Sequence, residues 1–441
     1  MTSVVGILNK RGVAIAADSA VTRGRIKSGH YKEKVTKNGN KMLRLCEADP
    51  ISVMITGNAD FLRTPWDVII RRYRQLHGKD RHLTVVAATH DLFHFIQSES
   101  VFWDRRACDR HLGDLAQDGF KDILQRLIEE NERKMDGTLR RPRAFVKSFV
   151  KTCNSFQKQY AREGKCPQFM DYTLEDFRLA SKVVLDSFFQ EQSEDNCNGF
   201  PHYCFPNEVL HDIRPAFEEL LWMTLSCRND GESSATLVIS GFGQDQIYPS
   251  LVSVNVCEGF DRRVCYHIRE KDIIDISDER PVAICPFAQK DVIKALLRGI
   301  HIGWSDSVCS AFYKMNDFSR NDVFNPFPEE TPPDSEFYRM LSEIKTGDLN
   351  VRFIRDGNRK LDSIQRVWEK SLVDYDLADM ASLADSLIDL TGFHRILTFS
   401  TEGVGGPVDV AVISKNDGFT WIRRKSWYHK DPGGKDGQFS I

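Results

Sequence analysis

The chain opens M-T-S-V-V-G, and its second residue is the first that could do chemistry on its own. Initiator methionine is normally removed when a small residue follows, so the mature chain is expected to begin at Thr2. One residue would then carry both a hydroxyl and a free α-amine, and the amine can take the hydroxyl proton directly or through a water. An α-amine with a reference pKa of roughly 7.7–8.0 is a usable base near neutral pH, whereas an exposed lysine at about 10.4 stays protonated. Other constellations are weaker. His90 and His94 in H-D-L-F-H have the i,i+4 spacing of a zinc helix, but Asp91 stands where H-E-x-x-H has glutamate. No third ligand is evident, so ordinary packing is expected and no metal or cofactor is assigned. The runs R-R-P-R (140–143) and I-R-R-K (422–425) read as solvated surface, and V-G-G-P (404–407) reads as a turn. No Cys/His or Ser/His nucleophile pair is visible.

Chemistry at a terminus demands a rigid terminus, and the first residues supply strand signals. Ser3 to Leu8 is apolar, Asn9-Lys10-Arg11-Gly12 reads as a turn, and Val13 to Ala17 is apolar again. A polar stretch follows, and then a second strand pair at Lys41 to Leu45 and Ile51 to Gly57. The next segment reads as a helix, with Thr64 as N-cap, Pro65 at the first helical position and Trp66, Ile69, Ile70, Tyr73 and Leu76 at helical spacing until Gly78. A second helix is expected over Val85 to Gln97. Residues 100–230 hold amphipathic helical segments joined by polar connections. Strand signals return at A-T-L-V-I-S-G-F-G, Y-P-S-L-V-S-V-N-V and P-V-A-I-C-P-F, followed by the helix K-D-V-I-K-A-L-L-R-G-I. Residues 324–334 look like a loop, 358–392 like a long helical region, and 408–422 like a last hairpin. Strands, helices, strands, helix and strands in that order predict an α+β fold rather than alternating βαβ units.

A-A-D-S-A-V-T-R-G (Ala16 to Gly24) resembles the A-A-D-S/T-x-x-T-x-G segment of proteasome β-subunits and of their bacterial relative HslV. It lies at the family's distance from the terminal threonine. T-S-V-V-G matches the family's T-T-x-x-G opening, and I-T-G-N-A-D-F resembles its A-G-G-x-A-D segment. The resemblance covers residues 2–77, is recognisable in spacing at 234–302 and returns at 386–423, about half the chain. It implies a four-layer αββα N-terminal nucleophile (Ntn) hydrolase sandwich with a large helical insertion. Residues 1–99, 233–302 and 358–441 would form the core, with 100–232 as the helical insertion and 303–357 as a loop and helical insertion.

Carried over residue by residue, the resemblance makes Thr2 the nucleophile and its amine the base. Asp18 would be the buried aspartate beside a catalytic lysine. Lys41 has the family's K-x-x-x-L context and Lys34 the family's count from the terminus; Lys41 is favoured, with Lys34 the alternative. The ammonium would lower the pKa of the terminal amine. Gly57 would aim its N–H at a tetrahedral oxyanion. Thr22 and Gly57 would hydrogen-bond an extended peptide, and Val21 and Ile55 would line an apolar specificity pocket. Two departures stand out. The family's G-S-G after its sixth strand is I-C-P-F-A here, and its D-x-x-S-G-G is T-E-G-V-G-G, where Ser400, Thr401 or Glu402 are partial substitutes.

The implied activity is hydrolysis of peptide or amide bonds through an acyl-enzyme on Thr2. The alternatives are an Ntn amidase acting on a small amide and a catalytically silent structural or partner-binding subunit. The resemblance also implies a peptide or protein substrate, homo-oligomerisation, in relatives as a ring, and service by an ATP-dependent unfoldase. Composition bears on the surroundings. The 441 residues are 41% hydrophobic and 28% charged with a formal net charge of −3, which gives no general pull toward nucleic acid or membrane. Eleven cysteines without zinc spacing, and an opening without a signal-peptide pattern, read as reduced thiols in the cytoplasm. No stretch approaches the ~18 apolar residues that span a bilayer.

Overall fold

The computed structural model describes residues 3–27, 30–36, 39–128, 142–193, 205–227, 234–299, 346–398 and 406–425, with Ser307 and Ser310. It is mixed α+β with antiparallel sheets. The chain divides into two compact units, Met1–Gly39 with Ile276–Ile441, and Asn40–Asp275.

In the first unit β1 (Ser3–Asn9) and β2 (Gly12–Asp18) form the expected hairpin and are buried at every position. Two-sided burial explains why both strands read as nearly unbroken apolar runs rather than as alternations. They lie at the centre of a five-stranded sheet ordered β13-β1-β2-β14-β15, with β13 at Val282–Ala288, β14 at Val408–Ser414 and β15 at Gly418–Arg423. Pro286 is tolerated because β13 is the edge strand of this sheet among the described residues, where a missing N–H costs least. One face of the sheet (Val5, Ile7, Ala14, Ala16, Ile284) packs with α7 (Lys290–Arg298) and α9 (Leu377–Thr398) through Ile293, Leu297, Met380, Ala384 and Ile388. The region read as one helix over 358–392 is two: α8 spans Thr346–Leu372, and a break at 373–376 precedes α9. Asn9 fastens that break, donating from Nδ2 to the carbonyls of Leu372 (3.2 Å) and Tyr375 (2.9 Å). The polar stretch after Asp18 is also corrected. It contains a separate hairpin, β3 (Val21–Lys27) with β4 (His30–Thr36).

The second unit has a sheet ordered β11-β10-β9-β6-β5, with β12 (Ile273–Asp275) on β10. Its strands are β5 (Met42–Arg44), β6 (Ile51–Gly57), β9 (Ala235–Gly241), β10 (Ser250–Phe260) and β11 (Arg263–His267). Val53, Ile55, Leu237, Ile239 and Val254 share a core with α1 (Trp66–His77) and α2 (Val85–Ser98). Thr64 is not the N-cap of α1. It pairs with Phe61 in a small ribbon of β7 (Asp60–Phe61) and β8 (Thr64–Pro65), and Pro65 takes the cap position. Four further helices follow: α3 (Arg105–Ile128), α4 (Pro142–Glu163), α5 (Leu174–Glu191) and α6 (Asn207–Ser226). They close on phenylalanines. The Phe120 ring lies 5.5–5.8 Å from those of Phe149, Phe188, Phe205 and Phe217, mostly edge to face. Among the described residues no helix is long and apolar enough to cross a membrane.

Candidate active site

Thr2 lies outside the described residues; its neighbour Ser3 does not. The Ser3 backbone N–H donates to Oδ1 of Asp18 at 2.8 Å, and Asp18 is 2% exposed at the end of β2. A buried carboxylate therefore holds the peptide that immediately follows the candidate nucleophile. Opposite Ser3 in the ladder stands Ala288, with φ of +62°. A left-handed non-glycine backbone costs free energy and persists only where its surroundings enforce it. Here the next residue, Gln289, accepts from Arg395 Nε at 2.8 Å, and Arg395 also clamps Asp291, tying the start of α7 to α9.

Beyond Asp18 the sequence hides a second buried ionic group. Lys425, read above as solvated, is 4% exposed. Its Nζ lies 3.0 Å from Asp409 Oδ2 and donates to Ser19 Oγ (3.2 Å) and the Gly39 carbonyl, while its backbone N–H donates to Asp409 Oδ1 (2.9 Å). The ammonium is thus fully supplied with acceptors, as a buried charge must be. Asp409 pairs with Ala17 and Val408 with Asp18, so this network braces the end of β2. Nothing in I-R-R-K separates Lys425 from its less buried neighbours except its position just past the end of β15.

In the second unit Lys41 is 5% exposed just before β5, and its carbonyl accepts from the Ile55 N–H at 2.8 Å. Ile55 packs in the core shared with α1 and α2. Gly57, itself exposed, ends β6 with φ of +77°, and a Cβ there would sit 2.3 Å from the Ser234 carbonyl oxygen. No other residue fits. The next residue, Asn58, donates through Nδ2 to Glu258 (3.3 Å), which pairs with His111 Nδ1 of α3 at 2.7 Å. Burial, with Glu258 adding, raises the carboxyl pKa of neighbouring Asp114. The helical segment therefore brings its own polar groups beside Gly57, which sequence patterns did not signal. Val21 and Thr22 open β3, with Thr22 opposite Val35, and Lys34 stands opposite Arg23 on β4.

The I-C-P-F-A segment runs as paired strand. Cys285 faces Gly6 in the ladder, and burial pushes its thiol up to about 12. Ser400, Thr401 and Glu402 lie outside the described residues. His90 and His94 are both exposed on α2, with His90 Nδ1 3.3 Å from the Tyr266 hydroxyl. Asp91 turns elsewhere and accepts from the Tyr73 hydroxyl at 2.7 Å. With His82 and Asp49 it builds a polar knot that also approaches Cys46, whose thiol burial and Asp49 push up to about 12. A thiol so protonated is a packing group, not a nucleophile. Among the described residues no group of three or more His, Cys, Asp or Glu side chains could hold a metal.

No protein-family model matches the chain, and no curated protein matches it either.

Proposed function

We propose that the protein is an N-terminal threonine hydrolase of the Ntn type that cleaves peptide or amide bonds. The observation that carries this reading is the Asp18 carboxylate, buried and bonded to the N–H of Ser3, one peptide after Thr2. With Thr2 at the mature terminus, its amine accepts the hydroxyl proton and the oxygen attacks the substrate carbonyl. The Gly57 N–H stabilises the oxyanion. The proton passes to the leaving amine, and water then hydrolyses the ester by the same route in reverse. Lys41, or Lys34 in its place, keeps the terminal amine neutral by its charge. Each sheet carries helices against one of its faces, which supports the four-layer αββα sandwich that this chemistry uses.

One observation favours a catalytically silent subunit instead: I-C-P-F-A, standing where the family has G-S-G, runs as paired strand with Cys285 opposite Gly6 and supplies no hydroxyl to assist Thr2. Intact mass after treatment with a peptide epoxyketone separates the two, because that electrophile needs both the hydroxyl and the free amine of a terminal threonine. Loss of Met1 and one adduct per chain supports the hydrolase. Retained Met1 or an unmodified Thr2 chain supports the silent subunit.

A further inference from the structure

Four cysteines distant in sequence converge where the helical segment of the second unit meets its sheet. Cys166 lies in the turn after α4 and Cys227 directly after α6, joined by a bridge between Lys165 and Cys227 and by the Cys166 N–H donating to the Ser226 carbonyl (2.8 Å). Cys257 sits at the irregularity of β10, and Cys265 on β11 beside it. The Cys166 and Cys265 sulfurs are 3.1 Å apart, at 1% and 2% exposure. Closing to a bond of about 2.05 Å needs only roughly 1 Å of motion. Independent contacts hold the two segments in place. Arg263, two residues from Cys265, donates to the Gln168 carbonyl (2.7 Å) and to Asp171 (2.9 Å), and its guanidinium covers the Tyr172 ring.

We propose that Cys166 and Cys265 form a disulfide that staples the helical segment to the edge of the sheet. With a small-molecule disulfide as oxidant, the two thiols become one S–S bond. Their two electrons and two protons convert the oxidant into two thiols. Cys257 is only partly buried, and its thiol hydrogen-bonds to Cys265, so it is the entry point. Its thiolate takes the first mixed disulfide, Cys265 displaces the small thiol, and Cys166 then displaces Cys257 from Cys265. Its hydrogen bonds with Cys166 and Cys257, together with burial, hold the Cys265 thiol well above its usual range. The dithiol state therefore gains nothing from a stabilised thiolate, the device that makes some protein disulfides strongly oxidising. The same protonation makes exchange slow at neutral pH and faster in mild alkali.

The test incubates the native full-length protein with oxidised glutathione at pH 7 and pH 8.5, blocks remaining thiols with N-ethylmaleimide and maps peptides without reduction. Expected are a peptide pair linking Cys166 to Cys265, faster linkage at pH 8.5, and a melting temperature about 5–10 °C above that of the reduced protein, as for a staple closing a long loop. C257S slows linkage without preventing it; C166S and C265S prevent it while keeping native circular dichroism. The proposal fails if folded protein ends with both cysteines alkylated, or if Cys257–Cys265 is the only linkage. It also fails if the purified chain holds a stoichiometric metal whose removal is needed before either thiol reacts.

Discussion

Asp18 accepts the backbone N–H of Ser3, one peptide after Thr2. Asp18→Asn keeps the size and removes the charge; under the proposed threonine mechanism, amide hydrolysis is expected to fall on the order of 100-fold or more while the fold survives, as checked by steady-state assay beside circular dichroism. Lys425 makes a different point. Its ammonium sits among Asp409, Ser19 and the Gly39 carbonyl, and truncating it strands a buried carboxylate. Lys425→Ala is expected to cost about 3–5 kcal/mol in urea unfolding. A loss below about 1 kcal/mol would mean that the pair is solvated in solution. Gly57→Ala meets both a left-handed φ and the Ser234 carbonyl, so it should disturb the end of β6 and, under the proposed mechanism, abolish turnover with it.

At the scale of elements, burial decided what could be read. β1, β2, β9 and β14 are apolar runs bounded by turn residues, and each forms where the pattern puts it. β3 and β4 escaped because V-T-R-G-R-I-K and H-Y-K-E-K-V-T lack an apolar face, and their pairing rests on a backbone ladder that composition does not encode. The gap between α8 and α9 was hidden because Asn9, hundreds of positions away, satisfies the freed carbonyls. The helices α3 to α6 depend on their phenylalanines. Phe217 touches the rings of Phe120, Phe149, Phe188 and Phe189, so Phe217→Ala is expected to cost about 3–5 kcal/mol, read by chemical denaturation.

For the whole molecule, the buried thiols of Cys46, Cys153 and Cys285 set an alkaline limit. Burial raises each from 9.0 to about 12. The fold keeps these groups neutral, so their contribution is complete below pH 9 and disappears as pH rises toward about 12, because the unfolded chain ionises first. Melting temperature should therefore fall steadily from pH 9 to pH 11 under reducing conditions; a flat profile across that window would contradict it. The sequence by itself determined the early hairpin, the α+β order and the placing of Asp18 at a strand end, since these follow from local patterns of burial and turn chemistry. Only the tertiary structure decided that Lys425 is buried, that His111 and Glu258 reach the residue after Gly57, and that Cys166 meets Cys265. Each of those depends on segments distant in the chain, and a side chain's type says nothing about which far segment will face it.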